Sequence, residues 1–114
     1  MNACHCNMCR RWGGAPMMSV HCGPDVSFEG ADKIETFRSS DWAERAFCSV
    51  CGTHLYYRFI PVNDHILSVG LFQDGPEFLF LEQIFIDQKP NSYDFSNATS
   101  RLTAAEVFAK YAPE

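Results

Sequence analysis

The sequence predicts a mainly β fold with zinc-binding turns and one short C-terminal helix. Three observations carry that prediction. Short apolar runs of strand length alternate with glycine and proline turn signals along most of the chain. Five of the six cysteines fall in two tight clusters, Cys4, Cys6 and Cys9 and then Cys48 and Cys51, with the spacing of metal-binding turns. A capping-box pattern, Thr103-Ala104-Ala105-Glu106, stands just ahead of a helical apolar stripe near the end.

Taken in order, Met17 to Cys22 is an extended run ended by Gly23-Pro24. Val26 to Glu29 and Ile34 to Arg38 are two further strands, with Gly30-Ala31-Asp32 as a hairpin connection between them. Ala43 to Phe47 leads into the Cys48 turn and Leu55 to Ile60 leads out of it, a zinc knuckle at a hairpin tip where Gly52 is free to take a positive φ. Ile66 to Leu71 and Glu82 to Ile86 complete the strand set, and Pro61, Gly75-Pro76 and Pro90 punctuate the rest. In the helix the Thr103 oxygen takes an N-terminal amide, Glu106 reaches back, and Val107, Phe108 and Tyr111 share a face before Pro113 stops it. The 114 residues contain no repeat, low-complexity stretch or linker, so residues 1–114 are read as a single domain with one modest core.

The hydrophobic fraction of 46% and ten phenylalanines exclude a disordered chain. A net charge of −5 argues against a nucleic-acid partner, whose binding needs a basic patch. No apolar run approaches membrane-spanning length, and no charged-then-apolar leader precedes Cys4, so a cytoplasmic chain is expected. Thiols stay reduced in that compartment, which favours metal over disulfides. The first cysteine comes at position 4 with no strand or helix expected ahead of it, so a segment missing upstream is a further expectation.

Residues two apart in extended chain point the same way, so Cys4 and Cys6 can face one Zn2+ ion, and Cys9 can fold back to it after a short turn. Three protein thiolates leave one tetrahedral position open, as in catalytic sites. A closed site completed by Cys22, a histidine or a cysteine of the second cluster fits the same spacing. Three thiolates make zinc a weak Lewis acid, better suited to binding a further thiol than to generating hydroxide. Cys48-x-x-Cys51-Gly52 is half of a structural zinc site and lacks two ligands. Either those ligands lie upstream, or the two clusters pool into one four-thiolate site with one cysteine spare. A thioredoxin-type role is disfavoured, because strand rather than helix flanks the pair.

The remaining candidates are weaker. His5 alternates away from its flanking cysteines, and His21, His54 and His65 read as hydrogen-bonded scaffold or surface residues. Cys22 reads as a small buried hydrophobe. Arg10 and Arg11 are placed to hold a substrate carboxylate, or else to compensate the negative zinc–thiolate centre. Trp12, before Gly13-Gly14, reads as a pocket wall or a core residue, and Ser39-Ser40-Asp41-Trp42 as a turn or a pocket rim.

Cys4-His5-Cys6-x-x-Cys9-Arg10-Arg11, Phe47-Cys48-x-x-Cys51-Gly52-Thr53 and Phe85-Ile86-Asp87-x-Lys89-Pro90 together resemble the glutathione-dependent formaldehyde-activating enzymes, the GFA or centromere-protein-V-like domain family. The resemblance implies an Mss4-like β-tent of antiparallel sheets. It makes Cys4, Cys6 and Cys9 the catalytic zinc ligands, and Cys48 and Cys51 half of a structural site that an earlier Cys-x-Cys pair completes in family members. That pair is not in this sequence, which is N-terminally short relative to the family pattern. A sheet edge left unpaired in this way is one that a homodimer contact would cover. The implied activity is that of a zinc-dependent carbon–sulfur lyase, S-hydroxymethylglutathione synthase-like. Its small-molecule partner would be glutathione or another thiol joined to formaldehyde or a small aldehyde, with Arg10, Arg11 and Trp12 as substrate-binding residues. No general base stands out, and water would carry the proton. The alternative is a non-catalytic, zinc-stabilised protein-binding module of the same fold.

Overall fold

The computed structural model describes residues 1–75 and 77–111. They form two compact units, Met1–Met18 with Gly75–Glu114 and the intervening Ser19–Asp74. The described residues are mainly β, with eight strands and one short C-terminal helix, as the sequence predicts. A second helix, not expected, follows the first strand.

In the intervening unit the strands are β2 (Met17–His21, begun in the other unit), β3 (Ile34–Ser40), β4 (Ala43–Cys48), β5 (His54–Phe59) and β6 (Asp64–Ser68). They pair antiparallel in the order β3-β4-β5-β6-β2. The register sets Ala46 opposite Tyr56 and Tyr56 opposite Leu67, so these three buried side chains fall on one face and form the core. Burial of a side chain of leucine size contributes about 1.5–3 kcal/mol. Val26 to Glu29 is not a strand. With no partner strand beside it, this segment packs Val26 and Phe28 onto the core, and the Phe28 ring stacks on Tyr56 at 5.4 Å between centroids. The Gly30-Ala31-Asp32 signal is a turn, but it feeds β3 as a 3-10 turn rather than closing a hairpin.

The other unit is built differently. Here β1 (Asn2–Cys4), β7 (Glu82–Ile84) and β8 (Ser100–Leu102) pair in parallel, β1 with β7 and β7 with β8. The antiparallel expectation therefore fails for these three strands, and a strand does lead into the first cluster, ending on Cys4. Each is only three residues long, too short to show an alternating pattern. Helix α1 (Asn7–Gly13) follows directly, where the sequence suggested a short turn. It ends at Gly14, whose φ of 80° suits a residue without Cβ and whose N–H donates to the Arg10 carbonyl at 2.7 Å.

Helix α2 (Ala104–Tyr111) begins on the expected capping box. The Glu106 N–H donates to Thr103 Oγ1 at 3.3 Å, and the Thr103 N–H donates to Glu106 Oε1 at 3.1 Å. Asp87 takes the Ala104 N–H at 2.9 Å. Val107 is buried, while Phe108 and Tyr111 are exposed. Pro76 and Pro113, the latter expected to stop the helix, lie outside the described residues. Thr103→Ala should cost about 1 kcal/mol, seen as a fall of about 5 °C in the melting midpoint. No described helix is long and apolar enough to cross a membrane.

Candidate metal centre and adjoining groove

Strand β1 delivers Cys4 at its end, and the chain then turns at Cys6, whose extended backbone (φ −63°, ψ 156°) starts α1. Cys6 caps that helix with sulfur, its Sγ accepting the Cys9 N–H at 3.3 Å. Cys9, on the first turn, is thereby brought back over Cys6. The three Sγ atoms all lie within 4.8 Å of one another. Cys4 and Cys9 are buried and Cys6 is half-exposed, so the group opens on the Cys6 side.

This donor set can hold a metal ion. Three sulfur ligands on one ion with bonds of about 2.3 Å stand roughly 3.8 Å apart, within a small adjustment of the separations here. Without a cation, the Cys4 thiol is pushed far above the ordinary thiol range. Its hydrogen bonds with Cys6 and Cys9 are the largest cause, followed by burial and then by the charges of those two neighbours. A cation at their centre reverses the sign of that crowding, and sulfur donors suit zinc.

His5, between the ligands, is completely buried and faces a polar chain. Its Nε2 bonds Gln83 Oε1 at 2.8 Å and its Nδ1 bonds the Tyr93 hydroxyl at 2.8 Å. Gln83 in turn donates from Nε2 to Thr99 Oγ1 at 2.9 Å. Burial pushes the His5 pKa down; the bond to Gln83 opposes that, and the Lys89 and Arg10 charges add to it.

Beside α1 lies a groove of about 890 Å³. Asn7, Arg10 and Arg11 line it from the helix, and Pro90, Ser92, Tyr93 and Phe95 from the loop after β7. That loop is reached through Phe85, a non-glycine residue at φ 54°, which turns the chain out of β7. Beyond the turn, Gln88 Oε1 takes the Asn7 N–H at 3.0 Å and fixes loop to helix. Lys89 Nζ donates to the carbonyls of Pro90 and Tyr93 and pairs with Asp94 at 2.8 Å.

The two arginines differ. Arg10 donates from Nε to the His5 carbonyl at 2.9 Å and from a terminal nitrogen to Asn7 Oδ1 at 2.5 Å, which ties it to the scaffold at two points. Arg11 is exposed. Trp12 is half-buried and is not among the residues lining the groove.

Cys48 and Cys51 sit at the hairpin tip between β4 and β5, where the Gly52 N–H donates to the Cys48 carbonyl at 2.8 Å with Gly52 at φ 77°. Cys51 is exposed, and its pKa is lowered chiefly by the Thr53 hydroxyl, 3.1 Å from Sγ. Among the described residues, neither cysteine belongs to a group of three or more ligands. Cys22 is half-buried against the Ala46–Tyr56–Leu67 core, and burial raises its pKa.

Gln83, Tyr93 and Thr99 went unnoticed in the sequence. The available signal was Gln83, which with Glu82 interrupts the apolar stretch from Phe78 to Ile86 and is costly to bury without partners.

A mainly β chain gathers three thiols at a strand end that could hold a metal ion, beside a groove lined by two arginines. Residues 1–88 match the family described as glutathione-dependent formaldehyde-activating enzyme, and the chain belongs to that family. It is also 37% identical over 108 residues to an uncharacterized lyase of Schizosaccharomyces pombe, an alignment covering 94% of this chain and 79% of that protein.

Proposed function

We propose that this chain is a zinc-dependent carbon–sulfur lyase-like enzyme acting on an adduct of glutathione, or of another thiol, with formaldehyde or a small aldehyde. The observation that carries the proposal is the convergence of Cys4, Cys6 and Cys9 at the start of α1, whose next turn places Arg10 and Arg11 on the groove. Family membership and the lyase-named relative support the same reaction class. Zinc held by the three cysteines would supply the positive charge that lowers the pKa of a substrate thiol. The half-exposed Cys6 leaves that side of the group open to a ligand. Arg11 offers a planar fork to a substrate carboxylate, while Arg10 holds the helix start in place through the His5 carbonyl and Asn7.

Zinc-loaded protein should bind glutathione and speed formation of its formaldehyde adduct. The proposal fails if loaded protein does neither. Arg11→Ala should weaken glutathione binding about fivefold, roughly the 1 kcal/mol of a solvent-facing ion pair. The difference between variant and wild type should shrink at about 0.5 M salt, where such charges are screened.

A further inference from the structure

In the polar chain from Thr99 through Gln83 and His5 to Tyr93, the bond directions fix what the last member can do. Gln83 spends an N–H on Thr99 Oγ1, so its amide oxygen faces His5 and accepts from Nε2. A neutral imidazole that donates from one nitrogen accepts at the other. The Tyr93 hydroxyl therefore gives its proton to His5 Nδ1, across 2.8 Å. What remains on the phenol oxygen is acceptor capacity alone.

That oxygen is held in position. The Tyr93 ring stacks on His5 with centroids 5.6 Å apart, and Lys89 Nζ lies 5.1 Å from its centroid while also bonding the Tyr93 carbonyl. Tyr93 is half-buried and lines the same groove as Arg10 and Arg11. Burial is the largest cause that raises its pKa, opposed by the Arg10 charge and aided by Cys4. Tyr93 also lies beyond the residues that match the family.

We infer that Tyr93 is a specificity residue of the groove, its hydroxyl oxygen accepting a hydrogen bond from the free hydroxyl of a thiol–aldehyde adduct. The inference rests on the function proposed above and adds the feature of the ligand that is read. The groove would favour a hydroxyl-bearing adduct over a thioether of the same size, because only the adduct has a proton to give. No bond is made or broken in this contact, and His5 keeps its protonation state throughout.

The test is calorimetric binding of two probes, S-hydroxymethylglutathione and its near-isostere S-ethylglutathione, to zinc-loaded wild type and Tyr93→Phe. Wild type alone should prefer the hydroxyl-bearing probe about fivefold, the worth of one neutral hydrogen bond. Tyr93→Phe should erase that preference and leave S-ethylglutathione affinity within about twofold, an outcome that a merely structural role would not give. The inference is overturned if wild type shows no preference, if the variant retains it, or if the variant loses both probes equally. If wild type binds neither probe, the proposed function itself falls and the inference falls with it.

Discussion

Cys9→Ser should purify with essentially no zinc, where wild type should hold one ion per chain. Cys9 is buried, and its Sγ lies within 4.8 Å of those of both Cys4 and Cys6. A serine hydroxyl does not ionise at neutral pH, so the group falls from three anionic donors to two. Structural zinc bound by a full ligand set is worth about 10–16 kcal/mol, so one thiolate of that set accounts for roughly 3 kcal/mol, or more than a hundredfold in affinity. Elemental analysis after dialysis measures it directly. Cys48→Ser, at a hairpin tip outside this group, should leave that zinc in place. If both substitutions abolish it, the two clusters share one closed site and the protein-binding module becomes the better description. Zinc affinity should also fall as pH falls, because each thiol must lose its proton to bind and the Cys4 thiol is held above its ordinary range.

His5→Ala should destabilise the protein by about 3–5 kcal/mol, combining the cavity left by a ring with the cost of unpaired polar groups. His5 is fully enclosed, and its loss strands the Gln83 amide oxygen, on a residue only 1% exposed. Thermal melting should show a fall of roughly 15 °C. His21→Ala is the comparison. That histidine pairs with Asp64 at the surface, and its removal should cost no more than about 1 kcal/mol. Equal effects for the two substitutions would mean that the buried chain does not hold the unit together.

How legible each part was in the sequence depended on how local its physics is. The hairpins around Cys48 and the capping box at Thr103 rest on neighbouring residues, and both are found where their patterns stand. The thiol group was legible because Cys4, Cys6 and Cys9 are close in sequence as well as in space. Helix α1 was hidden because its N-cap is a sulfur, outside the usual serine, threonine, aspartate and asparagine signals, although Gly13-Gly14 marked its end. The parallel pairing of β1, β7 and β8 and the bond from His5 to Tyr93 could not be read locally. The partners of β1 and His5 lie some 80 to 90 residues away and those of β7 in β8 eighteen, and nothing in a short window encodes them.

That separation has a consequence for the newborn chain. His5 bonds residues 78 and 88 positions further on, so the far wall of the groove is made last while the cysteines are made first. At about 5–20 residues per second, on the order of ten seconds of translation pass between Cys9 and Tyr93. For most of that interval β1 has no β7 to pair with, and the thiols face the cell's oxidants and metals unprotected. Whatever occupies the three sulfurs can therefore be chosen before there is a fold to choose it.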